Sequence, residues 1–189
     1  MRLVNHAKNQ GYGAACWTGM NAARKEYVFL MDSDGQFDPN QLEPFLPHCK
    51  AVDPRGADFV IGFRDQRADP PHRVLYARLW GIGATLLFGY VAKDIDCAFK
   101  LFPREVVVKV HPISRGATFT LEFLVLARKA GCSFKELLVN HFPRVAGVQT
   151  GGNYRVILRA IKELIRLRIA LWCGSKKRVE MCDQRPRES

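Results

Sequence analysis

An apolar run, Tyr27-Val28-Phe29-Leu30-Met31, stops abruptly at Asp32-Ser33-Asp34-Gly35-Gln36-Phe37-Asp38-Pro39. A strand that is apolar on both faces belongs between two layers, as in a parallel α/β sheet, and such sheets take ligands in the crevice beyond the carboxyl ends of their strands. Two carboxylates at spacing i, i+2 at that end can converge on one hard divalent cation, which keeps its other positions for water and phosphate oxygens. Gln36 offers a neutral oxygen beside them, and Gly35 lets the backbone turn sharply. The plainer alternative is a turn, for which Asp and Gly are common choices after a strand. Asp38 and Pro39 have a structural role, since the aspartate caps a helix expected over 40–50, with proline at its first position.

The rest of the chain alternates in the same way. A short strand is expected near 2–5, a helix near 13–24, strands over 26–31 and 57–62, and a long helix over 72–89. A strand over 98–102 follows, then a short helix after Pro103, a helix over 119–130 and a strand over 133–141. Strands alternating with helices predict a mostly parallel α/β sheet flanked by helices. Residues 1–152 form that domain, 153–174 a basic amphipathic helix, and 175–189 a charged tail of disordered character. Within the helix, Arg155, Arg159, Lys162 and Arg166 fall within about 60° at 100° per residue, with Ile161, Leu164, Leu167 and Leu171 broadly opposite.

At 189 residues, 48% hydrophobic and 25% charged, the chain can bury a core. Lys and Arg number 29 against 18 acids, a formal charge of +11, which calls for an anionic partner. Nucleic acid is not the expected one, because the cations are not interleaved with aromatics. Six scattered cysteines without a C-x-x-C pair suit a reduced, cytoplasmic setting. His6, His48, His72, His111 and His141 have no metal-ligand spacing.

Asn9-Gln10-Gly11-Tyr12-Gly13 precedes a helix, where backbone amides can receive a phosphate. Gly11 and Gly13 match part of G-x-G-x-x-G, but Cys16 stands at the third glycine, and a second acid plus Gln36 suits a metal better than a ribose. These residues, with Asp32 to Pro39, Val60-Ile61-Gly62-Phe63-Arg64 and Asp94-Ile95-Asp96-Cys97-Ala98-Phe99-Lys100, form an ordered set that resembles the family 2 glycosyltransferases. Within them it is most similar to the branch of dolichyl-phosphate mannosyltransferase and its bacterial polyprenyl-phosphate relatives.

The resemblance implies a GT-A, Rossmann-like fold. In it Asp32 and Asp34, assisted by Gln36, hold Mg or Mn against a sugar-nucleotide diphosphate. It implies catalytic positions at Arg64, Asp94 and Lys100, and substrate-binding positions at Asn9, Gly11, Gly13, Gln36, Glu122, Arg144 and Gly147. Gln149 stands where the acceptor-loop signature carries serine. Glu122 is equally explained as a first-turn acid favoured by the helix dipole. The implied reaction moves a hexose from a sugar nucleotide to a lipid-linked phosphate, with inversion, at the cytosolic face of a membrane. Contact with that membrane is expected to be peripheral, through the C-terminal helix or a membrane-anchoring partner subunit. Family members begin with a further strand and acid-bearing loop that grip the base, so the chain is expected to lack an N-terminal βαβ unit. Two alternatives stay open: a non-catalytic membrane-associated module that keeps the metal and phosphate surfaces, and a phosphatase using Asp32 as nucleophile, for which no later lysine and acid pair stands out.

Overall fold

Apolar and β-branched stretches build a four-stranded sheet from β1 (Tyr27–Met31), β2 (Phe59–Phe63), β3 (Phe99–Pro103) and β4 (Phe134–Leu138), in the order β1-β3-β2-β4. This computed structural model describes residues 2–64, 71–143 and 161–171. The chain divides into two compact units, Met1–Thr150 and Gly151–Ser189. In the first, helices α1 (Tyr12–Ala22), α2 (Pro71–Phe88), α3 (Arg104–Lys109) and α4 (Phe119–Lys129) accompany the sheet.

The layered α/β class is as expected, with one refinement of direction. β2 and β4 pair in parallel, but β3 is antiparallel to both β1 and β2 and lies between them. β1, β2 and β4 therefore share one direction, and β3 alone is reversed. Strand direction is set by the length and path of the connections, which an apolar pattern does not encode.

Side chains of β3 alternate between two cores, as a period of two requires. Phe99 and Leu101 join Phe37, Phe45, Cys49, Val60 and Val139. Phe102 faces the other way, stacked on Phe59 with centroids 5.0 Å apart and edge-on to Phe123 of α4 at 5.2 Å. α4 is buried from Phe119 through Ala127, the pattern of a helix enclosed on all sides. α1 packs against α3 and α4.

Two expected elements differ. No strand forms at 2–5; Leu3 and Val4 are exposed, and among the described residues nothing pairs with them. The helix expected over 40–50 is a 3₁₀ helix, Pro39–His48. Asp38 caps it as anticipated, its Oδ1 accepting the Asn40 N–H at 2.9 Å. Pro44 and Pro47 inside it lack N–H groups and clash with a carbonyl one α-turn back, so the tighter helix wins.

In the second unit, 161–171 is helical; Leu164 and Leu167 are buried, while Lys162 and Arg166 are exposed together with Ile161, Ile165 and Ile169. Arg155 and Arg159 lie outside the described residues. Among those described, no helix is long and apolar enough to cross a membrane.

Candidate active site

The sheet delivers its chemistry to one end. Met31 pairs with Phe99 and Ile61 with Lys100, so Asp32 and Arg64 leave the sheet on either side of the segment 94–98. With β3 between them they are two interstrand spacings apart, about 10 Å. The amino end of α1 reaches the same place, where the Tyr12 hydroxyl donates to Asp32 Oδ1 at 3.3 Å. Burial, then Cys16 and the Asp32 carboxylate, push the Tyr12 phenol up, so it stays a proton donor.

Asp32 and Asp34 are half-buried, and Asp34 Oδ1 accepts the Gln36 N–H at 3.1 Å, which fixes the turn through Gly35. Gln36 is buried, with its amide nitrogen on the Phe142 carbonyl at 3.3 Å, while the Phe142 N–H donates to the Gln36 carbonyl at 2.9 Å. That pairing ties the carboxylate turn to the strand-like exit of β4. Among the described residues no group of three His, Cys, Asp or Glu side chains is gathered. Two carboxylates and one buried amide are too few for a closed structural cage. Their hard oxygens fit a Mg- or Mn-type cation that takes its remaining oxygens from ligand and water.

Arg64 and Asp94 meet in a two-pronged ion pair: Nε to Oδ2 at 2.6 Å and Nη2 to Oδ1 at 2.8 Å, with the Arg64 backbone N–H also near Oδ2 at 3.4 Å. The side chains are only 8% and 10% exposed. The resemblance implies catalytic positions at both. As placed, Asp94 serves Arg64 by neutralising and orienting it, and is not disposed as a general base.

Lys100 requires a correction. It is fully buried, and its ammonium donates to the carbonyls of Ile95 and Cys97, so it braces the 94–98 loop and does not present charge to a ligand. Burial pushes its pKa down. The alternation of β3 sends residue 100 to the same face as Phe102, which packs on α4. The same burial pushes the Cys97 thiol up to about 11, leaving it inert at neutral pH.

Gly11 and Gly13 also turn out differently. Gly11 has φ 99°, and a Cβ there would meet the Arg115 carbonyl oxygen at 2.5 Å; at Gly13 it would meet Phe119 Cβ at 2.4 Å. The Gly11 N–H is taken by Asn9 Oδ1 at 2.8 Å and the Ala14 N–H by the Arg115 carbonyl at 3.3 Å. The glycines thus permit close packing of α1 on the 115–119 segment, and two of the amides expected to cradle phosphate are engaged. Asn9 and Gly11, with Arg2, His6 and Gln10, line a cleft of about 500 Å³.

Glu122 is buried on α4 and accepts the N–H groups of Ile113 and Ser114 at 3.0 and 2.8 Å. It pins the loop that carries Arg115, whose Nη1 donates to Gln10 at 3.2 Å. Arg144 and Gly147 lie outside the described residues.

A second cleft, of about 630 Å³, runs between α2 and the 90–96 loop, lined by Arg64, Arg78, Trp80, Lys93, Asp94 and Asp96 among others. Sequence reasoning missed Tyr12, Arg78, Trp80, Lys93 and Arg115. For Arg78 a signal exists: it is the one cation in the mostly apolar run 74–88.

The family model described as "Glycosyl transferase family 2" matches residues 1–110. A dolichyl-phosphate beta-glucosyltransferase of Trichomonas vaginalis is 26% identical over 188 residues, covering 94% of this chain and 56% of that protein. A dodecaprenyl-phosphate galacturonate synthase of Rhizobium johnstonii is 24% identical, covering 89% of this chain and 50% of that one. Glucosyl-3-phosphoglycerate synthase from Mycobacterium tuberculosis, solved with Mn2+, UDP-glucose and phosphoglyceric acid, superposes with a TM-score of 0.57 at 20% identity, over 82% of this chain and 55% of that one. That likeness is one of fold. The chain spans about half the length of the curated relatives it matches. With the matched model covering more than half of its residues, the chain belongs to glycosyl transferase family 2.

Proposed function

We propose that this chain transfers a hexose from a sugar nucleotide to a polyprenyl phosphate of the dolichyl type, with a divalent cation, at the cytosolic face of a membrane. The observation that carries the reading is the pairing, at one sheet end, of the Asp32–Asp34 turn with a cation-lined cleft about 10 Å away. The relatives named for dolichyl and polyprenyl phosphates support the acceptor class.

Asp32 and Asp34, assisted by Gln36, would hold Mg or Mn, which would supply positive charge against the departing diphosphate. Tyr12 orients Asp32 and keeps its own proton. A phosphate acceptor is ionised at neutral pH, so the site needs cations to position it more than a base to activate it. Arg78 and Lys93 on the cleft walls suit that role, and Asp94 spends its charge on Arg64. The exposed Lys162 and Arg166 beside Ile161, Ile165 and Ile169 give the C-terminal helix the character of a peripheral membrane contact, with or without an anchoring subunit. One observation favours the alternative of a non-catalytic module: the cations nearest the sheet, Arg64 and Lys100, are both engaged internally.

The test is to incubate the protein with radiolabelled UDP-glucose or GDP-mannose, dolichyl phosphate and Mn2+, and count label extracted into organic solvent. Labelled lipid that is lost in Asp34→Ala supports transfer. Folded protein that labels no lipid with any donor, yet binds donor, favours the non-catalytic module.

A further inference from the structure

The turn that carries Asp94 to Arg64 is held by side chains from distant parts of the chain. α2 closes on Gly89, whose φ of 78° and N–H bond to the Thr85 carbonyl at 2.9 Å finish its last turn. Residues 90–94 belong to no helix or strand, so their polar backbone groups need partners from elsewhere. Glu136 of β4 supplies both of its oxygens: Oε1 accepts the Tyr90 hydroxyl at 2.5 Å and Oε2 accepts the Lys93 N–H at 2.7 Å. Arg128 of α4 donates from Nε to the Val91 carbonyl at 2.9 Å, with its guanidinium 4.1 Å from the Phe134 ring centroid and 5.7 Å from that of Tyr90. Residues 90, 91 and 93 are thus each tied down by a side chain of α4 or β4.

Register makes the clasp specific. Glu136 stands opposite Ile61 in the parallel pair of β4 with β2, just short of Phe63 and Arg64. With its N–H held there, Lys93 lays its ammonium over the Phe63 ring, 4.3 Å from the centroid, and the next residue, Asp94, grips Arg64 with both oxygens. Lys93 and Asp94 are therefore fitted over Phe63 and Arg64, and one carboxylate on the neighbouring strand sets the fit. Glu136 and Arg128 do not line the cleft whose wall they hold, whereas Arg64, Lys93 and Asp94 do.

We propose that Glu136 is a positioning residue of the site: its two bonds set the 90–94 turn so that Lys93 and the Arg64–Asp94 pair face a phosphate-bearing ligand together. The ligand rests on the acceptor reading above; the clasp does not. Charge and position predict opposite signs. Glu136→Gln takes an acid away from a cation-lined neighbourhood, and by Coulomb's law alone that strengthens the binding of an anion. An amide has one acceptor oxygen and turns N–H groups toward the other partner, so one of the two bonds is lost and the turn loosens. A positioning role therefore weakens anion binding where charge alone would tighten it.

The full chain and Glu136→Gln are titrated by calorimetry with farnesyl phosphate and with UDP-glucose plus Mn2+, beside the control Glu105→Gln, which removes the same charge from an exposed site on α3. Hydrogen exchange reads the amides of 90–94. In Glu136→Gln, farnesyl phosphate binding is expected to weaken by about tenfold, the worth of one hydrogen bond to a charged group. Exchange in 90–94 should quicken, donor affinity should hold, and Glu105→Gln should match wild type. In transfer assays KM for farnesyl phosphate should rise by a larger factor than kcat falls. Tyr90→Phe should move the same readings in the same direction and by less. Farnesyl phosphate binding that is unchanged or tighter in Glu136→Gln overturns the proposal, and so does a loss shared equally by donor and phosphate, which marks a general loosening of the fold. Wild type that binds no farnesyl phosphate overturns it too. Wild type that binds farnesyl phosphate, loses that binding in Glu136→Gln and yet transfers no hexose upholds the positioning role and refutes the transferase reading alone.

Discussion

Asp94→Asn keeps the shape of the side chain and removes its charge, leaving the Arg64 guanidinium buried without a counter-ion. The pair is bidentate at 2.6 and 2.8 Å, and both side chains are about nine-tenths buried. Opposite charges about 4 Å apart in an effective dielectric of about 20 attract by about 4 kcal/mol. Breaking one side of such a buried pair costs about 3–5 kcal/mol, because the remaining charge cannot regain its hydration. Asp94→Asn is therefore expected to lower the unfolding free energy by about 3 kcal/mol, which at a urea slope of about 1–3 kcal/mol/M moves the midpoint by about 1 M or more. Arg64→Met alone should cost a similar amount. The double change Arg64→Met/Asp94→Asn, which removes both charges, should cost much less than the two single changes added together. Urea unfolding of the four proteins, followed by circular dichroism, closes the cycle. Single variants that each cost under about 1 kcal/mol and add in the double would refute the reasoning, since a buried ion pair cannot be both intact and uncoupled.

Three further outcomes follow from the packing. Gly13→Ala forces a Cβ to 2.4 Å from Phe119 and should destabilise by about 1–3 kcal/mol. Gly19→Ala in the same helix meets nothing within 4 Å and should stabilise by up to about 1 kcal/mol; thermal melts of both check the contrast. For Asp58, burial raises the carboxyl pKa, but bonds from Ser133 and Lys50 outweigh it and hold the group below its ordinary value. Its stabilisation is thus complete above the unfolded value of about 4 and lost as pH falls through the folded one. Asp58→Asn should cost about 1 kcal/mol at pH 7, with the gap to wild type narrowing below about pH 4, as read from denaturant curves at each pH. Lys100→Met should orphan the Ile95 and Cys97 carbonyls and destabilise by about 2–4 kcal/mol, seen as faster hydrogen exchange in 94–98.

Much of this was legible in the residues. The apolar stop at Asp32, the Asp38–Pro39 helix start and the alternation of strands with helices are local patterns, and local patterns survive into the fold. The reversed β3, the burial of Lys100 and the clasp of Asp94 on Arg64, 30 residues away, depend on which strand lies beside which. The 3₁₀ geometry of Pro39–His48 was within reach, since Pro44 and Pro47 already exclude a regular α-helix. Gly11 and Gly13 show the limit most clearly: glycines before a helix signal close approach, but the partner proved to be the chain's own Arg115 and Phe119.

We propose that Asp32 and Asp34 form a cation-dependent site for a nucleotide diphosphate. Calorimetric titration of UDP-glucose and GDP-mannose, with Mn2+ and again with chelator, into wild type and Asp34→Ala tests it most directly. Binding of at least one donor that requires Mn2+ and disappears in the variant is the expected result. Donor binding that is equally strong with chelator, or unchanged in folded Asp34→Ala, would contradict it.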